Sequence, residues 1–150
     1  MYNDLEQFKD WWLATRPFSP PEENVLSHVA DTHGIVLFRQ GPYQVELFNV
    51  KPHSEIPAHI HPNVDSYEVF VGGDIEFMCN DVWYPGGTFD GSSVRVKPSS
   101  YHGGRFGKRG GCFLSIQKWL NGVEPKFVGD DWDDKEHRGS YKESREIRVK

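Results

Sequence analysis

The spacing of apolar and polar residues divides the chain into three parts. Residues 4 to 15 carry one apolar stripe, Leu5, Phe8 and Trp12 with Trp11 beside it, at i, i+3 and i+7, which predicts a short amphipathic helix. Asn3 is placed to cap it, Glu6 three residues later completes a capping-box pattern, and Pro17 closes the segment. Pro20-Pro21 keep the following stretch extended. The stripe is expected to pack on the outside of the main body or, since it carries two adjacent tryptophans, to cover a second copy of the chain in a homodimer.

The pattern then changes to short apolar runs: Ile35 to Arg39, Tyr43 to Val50, Tyr67 to Val71, Ile75 to Cys79, Val82 to Tyr84, Val94 to Lys97 and Cys112 to Leu120. Turn-forming residues separate them, namely Gly41-Pro42, Gly72-Gly73, Asn80-Asp81, Pro85-Gly86-Gly87 and Asn121-Gly122. Many short strands at close spacing predict an all-β antiparallel sandwich or barrel, and no alternating helices support a parallel α/β sheet. The organisation read from this is a helix and linker over residues 1–24, a barrel over 25–129 and a charged tail over 130–150. In the tail only Trp132, Tyr141, Ile147 and Val149 are available as anchors, so it is expected to be solvated, or to reach onto a neighbouring subunit.

Composition narrows the function. A net charge of -5 gives no general attraction to nucleic acid or to anionic membranes. No apolar run approaches the ~20 residues that span a bilayer. The start, Met1-Tyr2-Asn3-Asp4-Leu5, lacks the basic and then apolar pattern of a secretory signal. The two cysteines, Cys79 and Cys112, lie far apart in apolar surroundings and read as buried free thiols, consistent with a cytoplasmic protein.

The chemistry concentrates in the histidines, of which there are seven. His59-Ile60-His61 places two imidazoles on one face of a strand, the arrangement a chelating pair requires. Asp65 has the same parity, and Tyr67, Val69 and Val71 continue that inward face, which leaves Ser66 and Glu68 facing out. A further histidine, His102, follows the strand Val94 to Lys97. His28, His33 and His137 have no partner at ligand spacing.

Residues His53 to Gly72 resemble the first motif of the cupin superfamily, Gly-x5-His-x-His-x3 or 4-Glu-x6-Gly. His59, His61 and Gly72 match it, Asp65 stands at the glutamate and His53 at the opening glycine. Residues Gly91 to Phe106 resemble the second motif, Gly-x5-Pro-x-Gly-x2-His-x3-Asn. Here Pro98 and His102 match, Ser100 and Phe106 replace the glycine and asparagine, and Gly91 lies one residue further from the proline than in the pattern.

This resemblance implies a double-stranded β-helix, the cupin or jelly-roll barrel, with a short N-terminal helix. It also implies one divalent metal ion in the barrel mouth, held by His59, His61 and His102 with Asp65 as a fourth ligand. Aspartate is one methylene shorter than glutamate, so a three-histidine site, as in the thiol dioxygenases that resemble this barrel, is the alternative. Imidazole-rich sites suit Fe(II), Mn(II), Ni(II), Cu(II) and Zn(II), with iron the leading choice.

Four other side chains are candidates in the mouth. Tyr67 and Gln117 are candidate catalytic groups, and either is also suited to a structural role. Tyr101 and Arg105, beside His102, are candidate substrate-binding residues; Arg105 suits an anionic group, with a solvated hairpin loop as the alternative reading. The function expected is a metal-dependent enzyme acting on a small polar molecule, an Fe(II)-type dioxygenase first and a lyase or isomerase next. A binding module without turnover and a purely structural role are the competing readings.

Overall fold

The structure is a computed structural model that describes residues 2–22, 27–29, 32–85, 93–122 and 128–129. Pro85-Gly86-Gly87 beyond its first residue, Gly91, His137 and the whole charged tail lie outside the described residues.

The N-terminal helix α1 spans Leu5–Thr15. Its cap falls one residue later than the sequence suggests: the Asp4 carboxylate accepts from the Gln7 backbone N–H at 2.8 Å, while the Gln7 side chain accepts from the Asn3 N–H at 2.8 Å. A carboxylate at this position also favours the positive end of the helix dipole. Arg16 ends the helix in the left-handed region, with φ 46°, and Pro17 prevents its continuation.

Among the described residues nine strands follow: β1 (Ser27–Val29), β2 (Thr32–Gln40), β3 (Tyr43–Val50), β4 (Glu55–Ile60), β5 (Val64–Cys79), β6 (Val82–Pro85), β7 (Ser93–Val96), β8 (His102–Trp119) and β9 (Val128–Gly129). All described pairings between them are antiparallel. The sequence suggests a turn at Gly72-Gly73 and allows a hairpin loop around Arg105, but both stretches are strand. β5 and β8 run through these glycines as two long partners, with register shifts between Phe70 and Gly72 and between Gly73 and Ile75. Gly73 has φ +95° and Gly110 φ +66°, and a Cβ on Gly73 would lie 2.4 Å from the Gly110 carbonyl oxygen. The glycines therefore bend paired strands rather than separate them. Asn80 and Asp81, both at positive φ, make the tight turn from β5 into β6.

The bend folds the sheet onto itself. The second half of β8 and the first half of β5 pair with β3 and β7; the first half of β8 and the second half of β5 pair with β4 and β6. Two apolar clusters result. Val50, Ile75, Phe77, Cys79, Val94, Val96, Phe106 and Phe113 pack together between the two halves. Outside the first half, Leu5, Phe8 and Trp12 of α1 cover Phe38, Tyr43, Val45, Val69, Leu114 and Ile116. The stripe predicted for α1 thus packs on its own barrel. Phe8 is fully buried there, in contact with the rings of Tyr43 and Phe38. Phe8→Ala is expected to destabilise the protein by about 3–5 kcal/mol in urea unfolding. A loss below about 1 kcal/mol would mean that the helix does not seal this face.

Candidate metal centre

The interior between the sheet halves has an uneven chemistry. Ser66 and Glu68 of β5, Ser115 and Gln117 of β8 and Gln44 and Glu46 of β3 are all buried and stand opposite one another in register. Gln117 donates to the Ser115 hydroxyl at 3.0 Å and accepts from the Trp119 indole at 3.1 Å and from Gln44 at 3.3 Å. Ser66 and Ser115 both donate to Glu68 Oε1, at 3.2 and 3.1 Å. Arg39 closes one side, donating to the Gln44 side-chain Oε1 at 2.8 and 2.5 Å and lying over the Trp119 ring.

The other sheet half faces this layer with histidines. Antiparallel pairing sets His59 of β4 directly opposite His102 of β8, and His102 opposite Cys79 of β5. His61 follows β4 by one residue, fixed where its carbonyl accepts from the Ser99 N–H at 3.1 Å. The ring centroids of His59 and His102 are 4.2 Å apart, those of His59 and His61 4.8 Å and those of His61 and His102 5.0 Å. One nitrogen from each ring lies within 4.8 Å of the others, so the three can hold one metal ion.

The carbonyl oxygens of Pro57 and Ser100 lie 2.7 and 3.0 Å from the Nδ1 atoms of His59 and His102. With a proton on Nδ1, each ring donates to its carbonyl and leaves Nε2 as the lone-pair donor, the second contact expected of metal-ligating imidazoles. Burial, followed by the neighbouring His102 and His61 rings, holds His59 well below the ordinary histidine range. Burial lowers His102 to about 4. Both are therefore neutral at pH 7, the form that binds metal.

The remaining candidates are distributed differently from the sequence expectation. Pro62-Asn63 turn the chain between β4 and β5, where the Asn63 carbonyl accepts from the Leu120 N–H at 2.8 Å, and the turn resets the strand parity. Val64, Ser66 and Glu68 consequently face inward, while Asp65 and Tyr67 face out. Asp65 is not in the histidine group: its two oxygens accept from Arg95 at 2.7 and 2.6 Å. Tyr67 is likewise outside the mouth, its hydroxyl accepting from Arg95 at 3.0 Å and its ring lying under Lys9 of α1.

Arg105 also points away from the interior. It donates to both Glu76 oxygens at 3.1 Å, stacks on Trp83 and lines an open groove of about 640 Å³ with Asp74 and Arg109, which are themselves paired. Tyr101 precedes β8 and is 43% exposed. Gln117 does face the interior, within the network that also holds Ser66, Glu68 and Ser115. Sequence reading named Gln117 but placed Ser66 and Glu68 on the outer face, and so missed the network around it. The inward direction of the face Phe113, Ser115, Gln117, Trp119 fixes the inward face of the strands paired to β8.

This bent antiparallel sheet is also the fold of known proteins. The chain superposes on KdgF from Halomonas sp. with a TM-score of 0.58 at 11% identity, over 70% of this chain and 94% of that one. It superposes on an RmlC-like cupin from Shewanella frigidimarina with a TM-score of 0.57 at 17% identity, over 69% and 91%. The chain has the cupin fold. A predicted oxalate decarboxylase from Thermotoga maritima shares this cupin barrel with a TM-score of 0.56 at 14% identity, over 69% and 98%. No family model matches the sequence, and no curated protein matches it in sequence. Among the described residues of this cupin barrel, no helix is long and apolar enough to cross a membrane.

The cupin interior also makes a prediction about stability. Burial pushes the Glu68 carboxyl up to about 8; the Ser115 and Ser66 hydrogen bonds oppose the rise and Glu46 adds to it. The folded state then holds this proton more tightly than the unfolded state. The stability it contributes is present below about pH 4.5 and is lost as pH rises through about 8. In metal-free protein, Glu68→Gln is expected to gain a few kcal/mol relative to wild type between pH 5 and pH 8. Paired urea titrations check this; a difference that does not change with pH would contradict it.

Proposed function

We propose that this cupin-fold protein binds one divalent metal ion through His59, His61 and His102 and acts through it on a small polar molecule in the barrel mouth. The observation carrying this reading is the pair of buried, neutral imidazoles oriented by backbone carbonyls, with a third ring beside them. Hydrophobic packing does not require three histidines on one interior face, and burying them costs free energy unless their nitrogens are satisfied. A bound ion would supply a Lewis-acid or redox centre. Three protein ligands leave positions open on a six-coordinate ion, which motivates Fe(II)-dependent oxygenation as the leading reaction class and lyase or isomerase chemistry as the next. The predicted oxalate decarboxylase among the structural neighbours is consistent with an enzymatic role.

The protein's own residues would do three things there. The Pro57 and Ser100 carbonyls hold two rings in one tautomer. Phe77, 6.2 Å from His102 between ring centroids, belongs to the buried apolar cluster, which would limit water on the inner side. The Ser66, Glu68, Ser115 and Gln117 layer presents hydrogen-bonding groups opposite.

A binding module without turnover is the second reading, favoured by the withdrawal of Asp65 into its ion pair with Arg95. Product formation followed by mass spectrometry separates the two.

Metal titration of purified protein is expected to give one equivalent of a divalent ion. His102→Ala should weaken binding by about 100-fold or more, since even residues that only support a ligand typically contribute 10- to 100-fold. Asp65→Asn should change it by less than about threefold, as its partner is an exposed guanidinium. Equal affinity in wild type and His102→Ala would overturn the proposal.

A further inference from the structure

Seen along the register, the buried polar layer is one directed chain. Arg39 of β2, Gln44 of β3, Gln117 of β8 and Ser66 of β5 stand opposite one another in a single row. Two groups that touch this row can only donate, the Arg39 guanidinium and the Trp119 indole. Arg39 donates to Gln44 Oε1 from Nε at 2.8 Å and from Nη2 at 2.5 Å, so the Gln44 oxygen must face it. Trp119 Nε1 donates to Gln117 Oε1 at 3.1 Å, which fixes the second amide independently. The remaining bonds run in the same direction. Gln44 Nε2 donates to Gln117 Oε1 at 3.3 Å, Gln117 Nε2 to the Ser115 hydroxyl at 3.0 Å and Ser115 to Glu68 Oε1 at 3.1 Å.

This direction decides what the layer has to spare. Each amide oxygen already accepts two hydrogen bonds, which fills its two lone pairs. Each amide nitrogen donates once and keeps one N–H. The spare groups of Gln44 and Gln117, on neighbouring strands, are therefore both donors. Both side chains are buried, where a donor left without an acceptor costs free energy. The far end of the chain has the same sense. Burial pushes the Glu68 carboxyl up to about 8, and its Oε1 accepts from both Ser66 and Ser115, so at pH 7 its proton belongs on Oε2.

The layer lies at the level of the histidines. Cys79, opposite His102 in register, reaches across to the first sheet half, where its thiol donates to the Arg95 carbonyl at 3.8 Å. Arg95 pairs with Tyr67, between Ser66 and Glu68. Nearer the bend, Phe106 and Phe113 from the two arms of β8 lie 6.5 Å apart between ring centroids.

Resting on the reading that the barrel mouth takes a small polar molecule, we propose that Gln44 and Gln117 form a donor face for an acceptor oxygen of that molecule, a carbonyl or a carboxylate, and that Arg39 and Trp119 are the positioning residues that hold both amides in this sense. An ammonium or guanidinium group finds the amide oxygens already filled. Without its donor-only partner an amide can turn by half a rotation and present its oxygen instead, and the face loses its sense.

The test uses full-length protein at pH 7, loaded with Zn(II) and again after metal removal, and follows the side-chain amide signals of Gln44 and Gln117 by NMR. Three small planar probes of one shape are compared: acetone, a neutral acceptor; acetate, an anionic acceptor; and acetamidinium, which only donates. The tighter of acetone and acetate is expected to shift both amide signals and to bind at least about tenfold more tightly than acetamidinium, the scale of one well-placed hydrogen bond. Which of the two binds more tightly tells a carbonyl from a carboxylate. Arg39→Lys, still a donor, should retain most of the preference, and Arg39→Met should lose it with the rest of the spectrum unchanged. Trp119→Phe removes the other donor and should lose it too, which keeps the test open if Arg39→Met does not fold. Tighter binding of acetamidinium, no shift at either amide with the probes at molar concentration, or a preference that survives the loss of either donor would overturn the inference. So would a preference that vanishes with the metal, since the oxygen would then be read at the ion. Failure to take up Zn(II) would overturn the metal-site reading alone, and the metal-free titration would still decide this one.

Discussion

Everything at the candidate site depends on two strands that bend together. β5 and β8 are paired along nearly their whole lengths, and each belongs to both halves of the folded sheet. They can bend because Gly73 and Gly110 adopt positive φ and meet where no Cβ would fit: on Gly110 it would lie 2.4 Å from the Val50 carbonyl oxygen. Were the strands straight, His102 at the start of β8 and Gln117 near its end would sit far apart on one open surface. Folded, they face the same enclosed interior. The bend also carries β4 against the first half of β8, and that pairing puts His59 opposite His102. The contact between two imidazoles distant in sequence is thus a consequence of backbone geometry at glycines remote from it.

Inside the fold, polarity is segregated. Phe106, Phe113, Ile75 and Val50 supply the packing. The Gln44, Ser66, Glu68, Ser115 and Gln117 layer satisfies its own groups by mutual hydrogen bonds, with Glu68 Oε2 left over. Such a layer is costly to maintain inside a barrel with a modest apolar content, and stability alone does not call for it. With the three histidines on the other sheet half, it gives the interior two chemically different ends, one suited to a metal ion and the other to hydrogen-bonding groups.

Much of this was legible in the sequence. The amphipathic spacing of Leu5, Phe8 and Trp12 is a local property and located α1. Short apolar runs between turn residues indicated an all-β fold, and the motif spacing from His59 to Gly72 and from Pro98 to His102 pointed to the histidine group. The parity of β5 was not legible. Alternation extrapolated from His61 through Pro62-Asn63 put Asp65 and Tyr67 inside, whereas the turn there reverses the faces and leaves Asp65 to Arg95. Long-range pairing decides such a question, because only the register with β8 shows that Glu68 lies beside Ser115. Two glycine-containing stretches read as connections for a similar reason: locally, a bend in a continuous strand and a turn use the same residue. His53, at φ 58°, shows the converse, a left-handed position where the motif has glycine and this chain has a side chain.

The central claim is that His59, His61 and His102 together hold a single divalent ion. Anomalous X-ray diffraction from crystals of protein loaded with Co(II), collected on both sides of the cobalt edge, tests it most directly. The account predicts one edge-dependent peak among the three ring nitrogens that face each other, with Asp65 still paired to Arg95. A peak elsewhere in the molecule, or a fully loaded protein with no peak at the histidines, would contradict it.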